Sequence, residues 1–355
     1  MNHEAHQHDH HPPPPESHPE SAPDSPTQPA AAPTPDAPRP PLAKSLIKLA
    51  RPKQWSKSAF VLIGPLYGMP DMLEQGRAAI DILIPAFVAA AAFALASSAC
   101  YVFNDISDRE ADRLHPRKRL RPLAAGHVSP NTARIYAGIL AIAAGLCVLA
   151  LPTGVQLWTL LTIGLYIINV MAYSWYFKRK VIGDVVSLSI GFVLRVMGGC
   201  AAVGIEPTTW LLNVTFFLSM FLAFGKRLGE RRTLNTLGTA DAQRAIAHRA
   251  VQERYSDVVL QMAVVVCAVA TLLTYSMYVQ AVGDDTPTNY GFNLLWLTLL
   301  PATYGMLRCI VMLESGRYDD PTELAFRDRG FVAASLAFGA VTALVLWMRL
   351  TQSGG

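Results

Sequence analysis

Residues 82–126 read ILIPAFVAAAAFALASSACYVF followed by NDISDREADRLHPRKRLRPLAAG, and the change of character at Asn104 decides the fold. Ile82–Phe103 carries no charge. As a helix rising about 1.5 Å per residue it is long enough to cross a hydrocarbon core of roughly 30 Å. Asn104, Asp105, Asp108 and Asp112 then fall where that helix meets water. On a continuing helix the three carboxylates, spaced by three and four residues, project from one face. Carboxylates so placed repel one another unless a cation lies between them. The hard divalent ion that suits them, and that usually takes substrate phosphates as further ligands, is Mg²⁺. Arg117, Lys118, Arg119 and Arg121 follow directly, fixed positive charges suited to phosphate. Acids and bases side by side at a membrane surface point to chemistry on a phosphorylated substrate with a lipid end.

Working outward, the rest of the chain is of the same kind. Of its residues 52% are hydrophobic and only 16% charged, a membrane-protein profile. Further uncharged stretches cover Pro207–Gly225, Val258–Val282, Thr286–Leu307 and Phe331–Met348. Ile135–Phe177 is too long for one span, and Leu151-Pro152-Thr153-Gly154 divides it into a helical hairpin. Val181–Gly204 and a shorter Ser58–Pro70 complete the set. The expectation is an all-α polytopic membrane protein of about nine transmembrane helices. Lys and Arg concentrate before the first span and after the second, fourth, sixth and eighth, while the alternate loops hold little beyond Arg77. The positive-inside rule then places the basic loops, the N-terminus and any chemistry on the cytoplasmic face of the cell membrane.

Residues 1–42 are dense in Pro, His, Ala and Ser without apolar periodicity, and are expected to be a disordered tail preceding a catalytic domain over 43–355. Its histidines offer only incidental metal affinity. Cys100, Cys147, Cys200, Cys267 and Cys309 lie in or at the ends of apolar segments with no metal-ligand spacing, and read as small core residues.

Other polar residues admit two readings each. Arg51-Pro52-Lys53-Gln54-Trp55-Ser56-Lys57 is either an interfacial anchor or, through Lys53 and Lys57, a phosphate-binding mouth. Tyr173 to Lys180 ends the fourth span as an aromatic belt with inside charge, or binds substrate through Tyr173 and Lys178, with Asp184 as partner. Arg195, deep in the fifth span, either faces a polar substrate cavity or pairs with a buried carboxylate. The glycines beside it, Gly198 and Gly199, permit close helix approach. Lys226, Arg227 and Glu230 end the sixth span, as a charged cap or as substrate ligands. Leu228–Thr233 and Asp241–Tyr255 read as two short helices beyond it.

Taken together, these residues resemble the UbiA superfamily of intramembrane prenyltransferases over 43–350. The likeness rests on nine helices, the Asn104-Asp105-x-x-Asp108-x-x-x-Asp112 motif after the second, and the Tyr173-Ser174…Lys178-Arg179 segment after the fourth. It implies helices around a central cavity, with Mg²⁺ held by Asp105, Asp108 and Asp112 at the polar mouth and the isoprenoid between helices. Where typical members carry a second aspartate-rich motif, this chain has Gly225-Lys226-Arg227-Leu228-Gly229-Glu230. With the segments at 51–57, 115–122 and 322–329, that departure is similar to the decaprenyl-phosphate phosphoribosyltransferase branch. The implied reaction moves 5-phosphoribose from 5-phosphoribosyl 1-diphosphate to a polyprenyl phosphate, for arabinose donors of the cell envelope. Asn104 and the three aspartates would be catalytic; Lys53, Lys57, Lys118, Arg119, Arg121, Tyr173, Lys178, Arg195, Lys226, Arg227 and Glu230 would bind substrate. Membrane lipid is the expected environment, nucleic acid is no partner, and a homo-oligomer is left open. An ordinary prenyl transfer to an aromatic acceptor, or a transport or lipid-binding role, are the competing readings.

Overall fold

The apolar segments form helices, and no strand occurs among the described residues. The computed structural model describes residues 40–114, 118–237, 255–284, 292–316 and 327–353. The chain divides into two units, Met1–Arg39 and Pro40–Gly355, and the described residues all belong to the second. The tail expected over residues 1–42 lies outside the described residues as far as Arg39, as do His115–Arg117, the stretch 238–254 and the stretch 317–326.

A short helix α1 (Leu42–Ala50) leads into a 3₁₀ segment, Pro52–Leu62, which continues as α2 (Ile63–Glu74). Then follow α3 (Ala79–Ser107), α4 (Arg109–Leu114), α5 (Pro130–Leu149), α6 (Thr153–Trp175), α7 (Gly183–Val203) and α8 (Thr209–Leu237). After α9 (Asp257–Asp284), a 3₁₀ turn at Leu294–Thr298 opens α10 (Leu299–Glu314), and α11 (Arg329–Ser353) ends the chain. Among the described residues seven of these elements are long and apolar enough to cross a membrane: α3, α5 to α9, and α10 with its 3₁₀ turn. The short α2 and the apolar part of α11, Arg329–Val345, bring the apolar helices to about the expected nine.

Three segments differ from expectation, each for a local reason. The helix carrying the aspartates stops at Ser107, capped by Asp108, so Asp112 stands on the separate α4 rather than on one continuous face. Backbone pairing still spans the break, from Asp112 N–H to Asp108 carbonyl at 2.8 Å. The span expected over Thr286–Leu307 runs further along the chain as α10, because Arg308 does not end the helix: its guanidinium pairs with Asp328 at 2.9 Å. The short helix expected at Leu228–Thr233 is the end of α8, where Leu228 is buried and extends the apolar stripe. Its expected companion at Asp241–Tyr255 lies outside the described residues up to position 254.

Helix α7 is the packing centre. Of its most apolar stretch 61% of residues are buried, against 22% for those of both α5 and α6. Small residues make this possible. A methyl group at Gly199 would lie 1.8 Å from the Val61 carbonyl oxygen, and one at Gly198 would lie 2.2 Å from the Phe93 ring. One core, with Val61, Phe93, Ile163 and Leu194, joins α3, α6 and α7; a second, with Phe221, Leu260 and Leu313, joins α8, α9 and α10.

Candidate active site

The end of α3 gathers acids and bases from three separate segments. Asp105 and Asp112 are both buried, at 3% exposure each, although both are charged. Burial of a carboxylate demands a partner, and here the partners are guanidiniums. Arg51 reaches Asp105 Oδ1 at 2.5 Å, and Arg121 Nη1 bridges Asp105 Oδ1 at 3.1 Å and Asp112 Oδ2 at 2.7 Å. Arg51 is aimed by its own backbone: it caps α1 in the left-handed region, φ 54°, and Pro52 then turns the chain away. Its guanidinium also lies 5.1 Å from the Tyr101 ring centre. Asp108, half-buried, takes the amide of Asn104 at 3.1 Å and the ammonium of Lys178 at 3.5 Å.

A second polar knot stands beside the first. Asp184, on the first turn of α7, is buried. Arg227 donates to its Oδ2 from Nε at 3.1 Å and from Nη2 at 2.5 Å. Tyr255 donates its hydroxyl to Asp184 Oδ1 at 2.9 Å and accepts the Ile182 N–H at 2.5 Å. Burial first, then the neighbouring carboxylate, push the Tyr255 phenol up to about 12, so it remains a hydroxyl donor at physiological pH. Arg231 donates to the Tyr255 carbonyl and pairs with Asp257 at 2.8 Å.

The donor set at α3 suits a hard cation in kind: carboxylate and amide oxygens only, with one positive group already bridging Asp105 and Asp112. Among the described residues no three acids, histidines or cysteines form a ready cage for a metal.

The sequence profile of the UbiA prenyltransferase family matches residues 62–331. The chain belongs to that family. It is 32% identical to a decaprenyl-phosphate phosphoribosyltransferase of Mycolicibacterium smegmatis, over 81% of this chain and 88% of that one. It is 34% identical to the enzyme of the same name from Corynebacterium glutamicum, over 84% of this chain and 85% of that one. In fold it matches a UbiA homolog from Archaeoglobus fulgidus, solved bound to GPP and Mg²⁺, with a TM-score of 0.58 at 15% identity over 86% of this chain and 99% of that one.

Within this UbiA fold the expected site residues separate into groups. Asn104, Asp105, Asp108, Asp112, Arg121 and Lys178 come together. Lys53 and Lys57 are exposed on the 3₁₀ segment, Lys118 is exposed before Arg121, and Arg119 and Tyr173 are half-buried. Lys226 is exposed in the C-terminal half of α8, with Glu230 half-buried one turn on. Arg227 faces Asp184, so the partner expected for the Lys178 turn is taken by another cation, and Lys178 turns to Asp108. Arg195 stands apart. It is buried at 4% exposure, and among the described residues its hydrogen-bond partners include no carboxylate. Its Nη2 donates to Tyr166 Oη at 2.7 Å and Ser97 Oγ at 3.2 Å, and the guanidinium stacks 4.4 Å from the Tyr166 ring centre.

Sequence reasoning passed over Arg51 and Tyr255. Arg51 headed a motif already read for its lysines, and its left-handed backbone carries no sequence mark. Tyr255 stood at the edge of a polar loop, where nothing local signals a buried hydroxyl. A cavity of about 1120 Å³, lined by residues such as Tyr67, Leu211, Tyr275 and Phe338, opens between α2, α8, α9 and α11. Asp105, Asp108 and Asp112 are not among its lining residues.

Proposed function

We propose that this chain transfers 5-phosphoribose from 5-phosphoribosyl 1-diphosphate to a polyprenyl phosphate such as decaprenyl phosphate, releasing diphosphate, at the cytoplasmic face of the membrane. The observation that carries the reading is the mixed charge of the α3 cluster. Arg51, Arg121 and Lys178 lie within 3.5 Å of its three carboxylates. A phosphoribosyl donor brings a diphosphate and a separate 5-phosphate, and the acceptor brings another phosphate. Such a load needs fixed cations beside the acids, and Lys226 adds one where other family members carry aspartates. The relatives named for this reaction, alike over most of both chains, support the same choice.

Asp105, Asp108 and Asp112 would hold Mg²⁺, which when bound supplies charge neutralisation to the leaving diphosphate. Arg51 and Arg121, which bracket Asp105, and Lys178, on Asp108, orient phosphate oxygens around the ribose. The bond from ribose C1 to the diphosphate oxygen breaks, C1 takes on oxocarbenium character, and an acceptor phosphate oxygen closes on the opposite face. No general base is required, since a phosphate monoester is already ionised at neutral pH. Positioning and preorganised charge do the work. The apolar cavity gives isoprene units a place among aromatic and aliphatic side chains.

Membranes containing the chain, supplied with Mg²⁺, decaprenyl phosphate and radiolabelled phosphoribosyl diphosphate, test this directly. Label should pass into the organic phase with one diphosphate released per lipid formed, and excess EDTA should stop it. Prenylation of an aromatic acceptor from a prenyl diphosphate, with phosphoribosyl diphosphate ignored, would overturn the reading and leave only the family.

A further inference from the structure

Ile182 has φ 67° and ψ −45°. The Gly183 N–H bonds back to the Val181 carbonyl at 2.8 Å, so Ile182 is the centre of a γ-turn of the positive-φ kind. That turn is rare and strained. For a β-branched residue a positive φ is a true outlier, and it persists only where the surroundings over-determine it. The side chain gives no reason for the conformation, being 51% exposed.

The constraint comes from Tyr255. Its hydroxyl accepts the Ile182 N–H at 2.5 Å and donates to Asp184 Oδ1 at 2.9 Å, so one buried oxygen holds both sides of the turn. Asp184 is itself fixed by Arg227 and by the Val185 N–H at 2.8 Å. The turn is stiffly joined to Lys178. Lys178 lies in a 3₁₀ turn, Phe177–Arg179, closed by Lys180 N–H to Phe177 carbonyl at 2.9 Å. The Lys180 carbonyl then accepts the Asp184 N–H at 3.1 Å. A continuous run of backbone bonds therefore connects the strained residue to the lysine that reaches Asp108.

We infer that Tyr255 is a positioning residue: with Asp184 and Arg227 it holds the Ile182 γ-turn and thereby sets Lys178 over Asp108. The inference rests on the reading that Lys178 meets a substrate phosphate. Tyr255 touches no reacting atom; it acts through the turn.

Four variants separate this from a purely structural role. Lys178→Ala tests the underlying reading, and should raise KM for phosphoribosyl diphosphate about 10-fold or more, the loss of one charge-assisted contact. Tyr255→Phe removes one oxygen and should raise that KM about 10-fold while changing the melting temperature little. Ile182→Gly alone should leave KM within about twofold, because glycine reaches positive φ without help. Tyr255→Phe with Ile182→Gly should bring KM back to within about twofold of wild type. If Lys178→Ala leaves KM unchanged, the phosphate role of Lys178 is wrong and the inference falls with it. If Lys178→Ala acts but Tyr255→Phe does not, or the glycine fails to rescue, the latch alone is wrong. Should Tyr255→Phe not survive purification, Ile182→Pro removes the same N–H and forbids positive φ. It should raise KM about 10-fold, and an unchanged KM would overturn the latch.

Discussion

At the scale of single residues, the site is a set of charges that cannot be removed one at a time without cost. Asp105→Ala or Asp108→Ala should lower the rate of diphosphate release at least about 100-fold at equal expression. Near-normal rates in either variant would take the metal role from these acids. The two adjacent cations of α8, Lys226 and Arg227, should behave differently from each other. Lys226 is exposed, so Lys226→Asp should raise KM for the phosphoribosyl donor more than Lys226→Ala does, by repulsion added to a lost contact. Arg227 is tied to buried Asp184. Arg227→Ala should instead destabilise the fold by about 3–5 kcal/mol, since it leaves a buried carboxylate without its cation, and a thermal melt in detergent will read this. The acids, Arg121 and Lys178 were legible in the sequence because charged residues beside an apolar span need a reason. Arg227 was legible as important but not in its role, since its partner lies 43 positions away. Spacing carries no trace of such a contact.

At the scale of elements, the fold was legible where hydrophobic length and glycine or proline punctuation govern it. The α5–α6 hairpin turns at Leu151-Pro152, as the residues require. The ends of α8 and α10 were not legible, because charged side chains there find partners instead of ending the helix. Gly199 is where helix packing is least forgiving. A methyl there meets a backbone oxygen at 1.8 Å, which no rotamer change relieves. Gly199→Ala should lower stability by about 1–3 kcal/mol or more, and fluorescence-detected size exclusion after heating should show it. Asp328 caps α11: it accepts the Phe331 N–H at 2.8 Å and receives both arms of Arg308. The Arg308 hydrogen bonds first, and then the Phe331 N–H, hold its carboxyl below the ordinary 3.8. A lowered folded value means the stabilisation is complete above 3.8 and fades as pH falls through that value toward the lower one. The melting temperatures of wild type and Asp328→Asn should therefore differ most near neutral pH and converge in strong acid.

At the scale of the whole molecule, the helix number and the polytopic architecture follow from a few long apolar stretches, whereas the joining of distant charges does not. The first unit, Met1–Arg39, is dense in Pro, His, Ala and Ser, and that composition is the ground for expecting no part for it in catalysis. A chain beginning at Pro40 should keep the intrinsic rate of the full chain in detergent; a rate loss without loss of insertion would assign that unit a part in catalysis. The buried guanidinium of Arg195 bears on how the molecule is made. An arginine at mid-helix costs about 2.5–3.5 kcal/mol on entering the bilayer through the translocon. Ser97 and Tyr166, which accept its hydrogen bonds, belong to α3 and α6 and are synthesised before it. When α7 leaves the ribosome its polar seat is already in the membrane, so the charge has somewhere to go other than lipid. Tyr166→Phe should then show itself during biogenesis, as α7 left outside the bilayer and the chain degraded, before any catalyst exists to be slowed.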